Sequence, residues 1–326
     1  MPHVIGVDLG GTKTAAGVVS GFGEVLFSET IPTLNRAGGE AILDATAALI
    51  AGLVERAADA GISVSGVGIG SAGVINAASG AVVSATDAIL GWAGTSLVSG
   101  LSSRLSLSPS AVRAVNDVHA HALGEAWLGA AAGTSTSLMV AFGTGVGGSF
   151  VVDGAPVLGH HSVGGHVGHF ASPYATFDAA PLPCVCGHAG HVEAVASGPA
   201  IHESYLRFGG SSREAADTRG VFVLASGAPA GVPDGSAAAT VSRAAALRAI
   251  NLGAAAAGQA VGGLINILDP ETVVISGGLA DAGGLWWEPM EAALRQELLV
   301  PLAEVPVVRA TLGNTAAIVG AAKLVL

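Results

Sequence analysis

Cysteine is nearly absent from this chain: Cys184 and Cys186 stand two positions apart, and there is no third to pair with either. A disulfide framework is excluded, because bridging these two would close a very small, strained ring. Basic residues are also scarce, 13 Lys and Arg against 24 Asp and Glu, for a formal charge of −11. Such a chain offers no broad cationic face to a phosphate backbone, so nucleic acid is not an expected partner. An anionic substrate must instead be met by locally placed donors such as backbone N–H groups. The opening "MPHVIGVDLGG" lacks a basic segment followed by an apolar one and a cleavage site, and it reads as a strand. Two uncharged runs, Ala60–Thr86 and Ala126–Val152, are interrupted by glycine, serine and threonine. Each reads as buried sheet, not a membrane span, and the expectation is a soluble cytoplasmic protein with no membrane partner.

What is present is glycine and apolar residues: 49 Gly and 51% hydrophobic in 326 residues. That suits a globular α/β chain of two domains, each able to bury a core. "HVIGVDLGGTKTAAGVVSG" (3–21) reads as strand, tight turn, strand, and "GEVLFSETIPT" continues the meander. Residues 38–61 have helical apolar spacing and stop at Gly61. "VSGVGIGSAGVIN" is a strand entering a turn, and "SAVRAVNDVHAHALGEAWLGAA" a strand followed by a helix. The pattern restarts at "TSLMVAFGTGVGGSFVVDG" (136–154), and 245–278 is a long helix, then a strand ending in Gly-Gly. "LGNTAAIVGAAKLVL" closes the chain as a helix. Two halves that each begin with a glycine-turn hairpin suggest an internal duplication. The stretch 224–237, rich in Gly, Pro and Ser, reads as a loop.

"GTGVGG" (143–148) formally matches the dinucleotide fingerprint, but that motif needs a helix after the glycines and "SFVVDG" reads as a strand. The common G-x-x-x-x-G-K-[ST] loop is absent. A glycine hairpin turn can still bare N–H groups as an anion nest, or carry glycine only for its backbone geometry. Two such turns, "DLGGTKT" and "FGTGVGG", with Asp8 ending an apolar strand, suit a magnesium nucleotide. Asn116 and Asp117 stand where a strand hands over to a helix, the place of an N-cap. His119 and His121, two apart, share no helix face and read as ordinary helix residues. "CVCGHAGHVE" (184–193) leaves a metal site or a loop open, while a redox pair would be C-x-x-C.

In order along the chain, "IGVDLGGTKTAAGVV", "NDVHAHALGEAWLGA", "FGTGVGGSFVVDG", "GGHVGH" and "CVCGHAGHVEAVASGPAI" resemble the ROK family of repressors, open reading frames and sugar kinases. The resemblance covers essentially the whole chain. It implies two ribonuclease-H-like α/β domains of the actin/hexokinase type with an interdomain active-site cleft. The small domain would be 1–117 plus 312–326, and the large one 118–311. It implies an ATP-dependent kinase for a hexose or 2-acetamido hexose, phosphorylated at the 6-hydroxyl, acting as a homodimer. Asp8, Gly10, Gly11, Thr12 and Lys13 would form the first phosphate loop, with Asp8 towards Mg²⁺. Gly143, Thr144, Gly145 and Gly147 would form the second, and Gly277 with Gly278 would lie against the adenosine. Asn116 would bind the sugar with Asp117 as the base, and Gly73, His169 and Glu193 would contact the sugar. The family's three cysteines and GH histidine hold zinc, which here implies a structural Zn²⁺ on Cys184, Cys186, His191 and His169.

The chain departs from the family pattern in three places. His166 replaces the glutamate of Gly-Glu-x-Gly-His, exchanging an acceptor-only group for one with a donor and an acceptor. His191 stands where relatives have the third cysteine. The segment from His169 to Cys184 is longer than the family's usual one, which leaves His188 as the alternative ligand. The sugar stays open among glucose, N-acetylglucosamine and N-acetylmannosamine. Two other functions fit the resemblance, a non-catalytic sugar-binding protein and a sugar-responsive regulator. The regulator is disfavoured because the first phosphate motif follows Met1 within a few residues and the charge is acidic. His160, His161 and His202 read as solvated or core residues.

Overall fold

A strand buried on both faces reads as a near-continuous apolar run, and Val4–Val7 is such a run. In the computed structural model, which describes residues 1–86, 88–227 and 237–326, it forms the middle of β1 (His3–Leu9). β1 is the central strand of a five-stranded sheet ordered β3-β2-β1-β4-β7. Antiparallel β2 (Lys13–Ser20) and β3 (Val25–Pro32) lie on one side. Parallel β4 (Val64–Ser71) and β7 (Val112–Asn116) lie on the other. A small hairpin of β5 (Val74–Asn76) and β6 (Ala81–Ser84) follows β4.

Side chains alternate across β1, and the two faces receive different helices. Ile5, Val7 and Leu9 join one core with Ile42, Leu43, Ile50 and Leu53 of α1 (Gly39–Asp59) and Leu97 and Leu101 of α2 (Leu97–Leu105). Each fully buried aliphatic of this kind contributes about 1.5–3 kcal/mol of transfer free energy. Val4, on the opposite face, packs with Ile318 and Ala322 of α9 (Ala316–Lys323). That face is built for close approach: a Cβ on Gly68 would lie 1.7 Å from the Ala321 carbonyl oxygen. α9 also packs on α3 (Asp117–Leu128), where a Cβ on Gly320 would lie 1.7 Å from the Ala120 carbonyl.

The second sheet has the order β10-β9-β8-β13-β14. It consists of β8 (Thr136–Phe142), β9 (Val146–Val152), β10 (Ala155–Pro156), β13 (Thr272–Ser276) and β14 (Val307–Arg309). A short hairpin of β11 (Thr176–Phe177) and β12 (Ala180–Pro181) stands apart from it. Helices α4 (Glu193–Ala196), α5 (Gly198–Arg207), α6 (Thr218–Ser226), α7 (Ala237–Leu268) and α8 (Gly284–Glu297) complete the elements. Among the described residues one helical stretch, Thr240–Leu268 of α7, is long and apolar enough to cross a bilayer. It packs against α4, α5, α6 and α8, as a core helix does. Gly258 lets α8 approach, since a Cβ there would lie 2.1 Å from the Met290 carbonyl oxygen.

The chain forms two compact units, one of residues 1–137, 149–165 and 310–326, the other of 138–148 and 166–309. α3 and the 149–165 segment therefore fall in the first unit, although the sequence reading put the boundary at 117. The physical reason is α3's packing on α9, β4 and β7, all first-unit elements. The loop expected at 224–237 is helical in its first residues, which end α6, and its residues 228–236 lie outside those described.

Candidate active site and metal centre

The first glycine turn closes the β1–β2 hairpin, whose register ends at Leu9 opposite Thr14. The Gly10 N–H donates to the Lys13 carbonyl at 3.0 Å. The turn's other carbonyls are tied down: the Thr33 hydroxyl donates to Gly10 O and the Asn35 amide to Gly11 O, each at 2.8 Å. Asp8, one residue before Leu9, has its carboxyl pushed up to about 6. Burial is the main cause, the negative charge of Asp117 adds to it, and Lys13 opposes both. A buried carboxyl next to a glycine turn, with a second carboxylate near enough to raise its proton affinity, has the chemistry that a cation would relieve.

Asp117 is the first residue of α3, directly after the last residue of β7. Asn116 is the N-cap of α3, its Oδ1 accepting the Val118 N–H at 2.9 Å. The capping role read from the sequence is real, and the same side chain does a second thing. Its Nδ2 donates to the Gly73 carbonyl at 2.9 Å, linking the helix start to the turn after β4. Gly73 has φ +96, and a Cβ there would lie 2.8 Å from the Ser84 carbonyl, so only glycine suits the turn. Gly73, Asn116, Asp117 and Asp8 are thus neighbours, though the sequence spreads them over a hundred residues.

The second glycine turn, Gly143–Gly145, joins β8 to β9, and a strand follows it, as the failure of the dinucleotide fingerprint requires. Gly147 lies within β9, outside the turn itself. Glu193, at the start of α4, accepts the Val146 N–H at 2.7 Å. A Cβ on Gly145 would come within 2.7 Å of the same Glu193 oxygen, so the carboxylate and the turn fit one another only with glycine at 145. Gly277, after β13, abuts the end of β8: a Cβ there would lie 2.3 Å from the Phe142 carbonyl. Gly277 and Gly278 therefore stand next to the second turn.

The cysteine stretch is held by a backbone ladder. Glu193 N–H donates to Gly168 O, Val192 N–H to Phe170 O, and Ser172 N–H to Gly190 O, at 2.9, 3.1 and 2.9 Å. This ladder sets His169 beside His191. The longer segment after His169 folds back on itself through β11 and β12, returning Cys184 to the same place. Ligand atoms of His169, Cys184, Cys186 and His191 all lie within 4.8 Å of one another. Cys184 Sγ is 3.6 Å from His169 Nδ1, and Cys186 Sγ is 3.2 Å from His191 Nδ1. Both thiols are free, Cys184 buried and Cys186 exposed. Two thiols and two imidazoles at these separations match a tetrahedral zinc complement. His188, the alternative, is outside the group. Burial pushes the Cys184 thiol up and the His169 imidazole down. His166 and His169 stack, with ring centres 6.1 Å apart.

His119 is buried and bonded through Nδ1 to the Ser149 hydroxyl at 2.8 Å, a satisfied core histidine. Burial pushes the His121 imidazole down. His202 shares a hydrogen bond with the Ala215 carbonyl. Sequence reading missed Glu125, which is fully buried and accepts N–H groups from Ala130, Thr311 and Leu312. Its carboxylate fastens α3 to the segment that leads into α9.

A family model described as ROK family matches residues 4–326. A glucokinase from Streptomyces coelicolor is 33% identical over 99% of this chain and 98% of its own length. An N-acetyl-D-glucosamine kinase from Salmonella paratyphi A is 31% identical over 98% of each. A solved ROK family glucokinase from Streptomyces griseus, in complex with glucose and AMPPNP, is 29% identical with a TM-score of 0.76. That match covers 99% of this chain and 98% of the other.

Proposed function

The chain belongs to the ROK family and is an ATP-dependent sugar kinase, and from that premise we propose that it phosphorylates the 6-hydroxyl of a hexose or 2-acetamido hexose with Asp117 as general base. The observation that carries this reading is the pair Asp8 and Asp117 beside the first glycine turn. Asp117 accepts the proton of the attacking hydroxyl, while the Val118 N–H at the start of α3, donating to its Oδ1 at 2.9 Å, keeps it fixed. Asn116 and Glu193 orient the sugar hydroxyls, and the Asn116 bond to Gly73 sets the turn beneath them. His169 and His166 face the sugar as well.

The two glycine turns take the nucleotide phosphates, with Lys13 adding a positive charge, and Gly277 with Gly278 lie against the adenosine. Mg²⁺, held on the Asp8 side, neutralises phosphoryl charge when bound. His169, Cys184, Cys186 and His191 would hold a zinc ion in a structural role, since four protein donors would leave no position for water. Its effect is to hold His169 and Glu193, joined by the ladder, in one arrangement.

The test is ADP release measured with glucose, N-acetylglucosamine and N-acetylmannosamine, with Asp117→Asn as control. Turnover with at least one sugar is expected, and the variant should lose about 10²–10⁴ in kcat while still binding sugar. Tight sugar binding with no turnover for any sugar would favour a non-catalytic sugar-binding protein instead.

A further inference from the structure

A cavity of about 310 Å³ lies between the β11–β12 hairpin and helices α5 and α7. Its charged lining is Arg207 from α5, Arg248 from α7 and Asp178 from the hairpin turn. Arg248 is laid flat by Phe208, with its guanidinium carbon 4.0 Å above the ring centre. Among the described residues it has no carboxylate within ion-pair distance. Arg207 reaches Glu203 only at 4.0 Å through one nitrogen. Its other terminal nitrogen is buried and has no hydrogen-bond partner. Protein interiors leave few such donors unpaired, because an unmade hydrogen bond to a guanidinium is costly.

We propose that this cavity binds a phosphorylated sugar, with Arg207 and Arg248 on the phosphate. Two guanidinium forks match the oxygens of a phosphate monoester, and Arg207 and Arg248 both line the cavity without a close ion pair, Arg207 meeting Glu203 only at 4.0 Å. Asp178 accepts only, which suits sugar hydroxyls and repels a second anion. Phe177 and Phe208, with ring centres 6.4 Å apart, offer an apolar surface to the C–H face of a ring. A phosphorylated sugar is also the product class of the kinase reaction, so the cavity is a site for product feedback, and that link alone rests on the kinase reading. The hairpin gives it a route: Leu182 lines the cavity, and its carbonyl accepts the Gly190 N–H beside His191. Occupancy therefore bears on the strand ends that carry the Cys/His cluster.

The experiment is calorimetric titration of the full-length protein, without nucleotide, using glucose 6-phosphate, inorganic phosphate and glucose separately. Wild-type protein should bind glucose 6-phosphate, and Arg207→Gln and Arg248→Gln should each weaken it at least tenfold, as for lost charge-assisted bonds. Both variants should keep their melting temperature and their initial kinase rate. Arg248→Lys, which keeps charge and stem, serves if a glutamine variant fails to fold, and should weaken binding less. No binding by wild type at millimolar concentration overturns the proposal, as does binding that all the variants retain. Inorganic phosphate binding as tightly as the sugar phosphate would overturn the sugar part. Because no turnover is needed, a protein with no kinase activity would still pass or fail this test.

Discussion

The Val146 N–H donates to Glu193 at 2.7 Å, so the carboxylate that follows the cysteine stretch is bonded to the second glycine turn. On the proposed reading, one side chain thus touches both the nucleotide loop and the sugar. Glutamine at 193 keeps an acceptor for Val146 but loses the charge, and alanine loses both. Glu193→Gln should raise KM for the sugar while leaving KM for ATP near wild type. Glu193→Ala should raise both and cost about 10² in kcat, the scale of a misplaced reactant. Steady-state kinetics with each substrate varied reads the split, and equal effects of the two variants would count against it.

Asp8 makes the metal-free protein pH-sensitive. Its carboxyl is raised from 3.8 to about 6 in the folded state, chiefly by burial, so between those values the folded chain holds a proton that the unfolded chain has released. Stability should therefore fall as pH rises from about 4 to about 6, by up to roughly 3 kcal/mol, and level off above. Thermal unfolding in a chelator, wild type against Asp8→Asn, isolates this contribution, which the variant should lack. Nucleotide binding with Mg²⁺ should weaken in the opposite direction, as pH drops below about 6 and Asp8 takes up its proton.

Zinc content tests the Cys/His cluster directly. Wild-type protein purified without chelator should carry one zinc per chain, and Cys184→Ser should carry little and bind sugar more weakly. His191→Cys should retain the metal, because thiolate and imidazole both serve tetrahedral zinc. Elemental analysis of the three proteins decides it, and a wild type without stoichiometric zinc would sink the assignment.

His166 stands where the family resemblance implies a glutamate, stacked on His169. His166→Glu removes a donor and should redistribute kcat/KM among glucose and the 2-acetamido hexoses, by about tenfold per changed hydrogen bond. An unchanged order of preference across the panel would show that the position does not read the sugar.

The strand-turn-strand openings of both halves were legible because apolar runs and glycine turns are local signals. So was Asn116, since its N-cap place needs only the strand-to-helix handover. The bond from Asn116 to Gly73 was not, because it joins residues 43 positions apart. Glu125 was invisible for the same reason: its partners, Thr311 and Leu312, are separated from it by 186 and 187 positions. Gly68 and Gly320 look like ordinary glycines until α9 lies against them. The His169–Cys184 gap looked longer than the family's usual one, and length alone could not reveal that β11 and β12 turn it back.

The ladder between Gly168–Ser172 and Gly190–Glu193, together with the Leu182 N–H bond to Ala175 O, closes the base of that hairpin. Residues 176–181 consequently hang outside the bonds that fix the cluster. Extending such a loop costs little, about 0.6 kcal/mol per doubling of its length. The hairpin tip is thus a natural insertion point, where a grafted fluorophore-binding peptide would report on the Cys/His centre from a few residues away without displacing any of its donors.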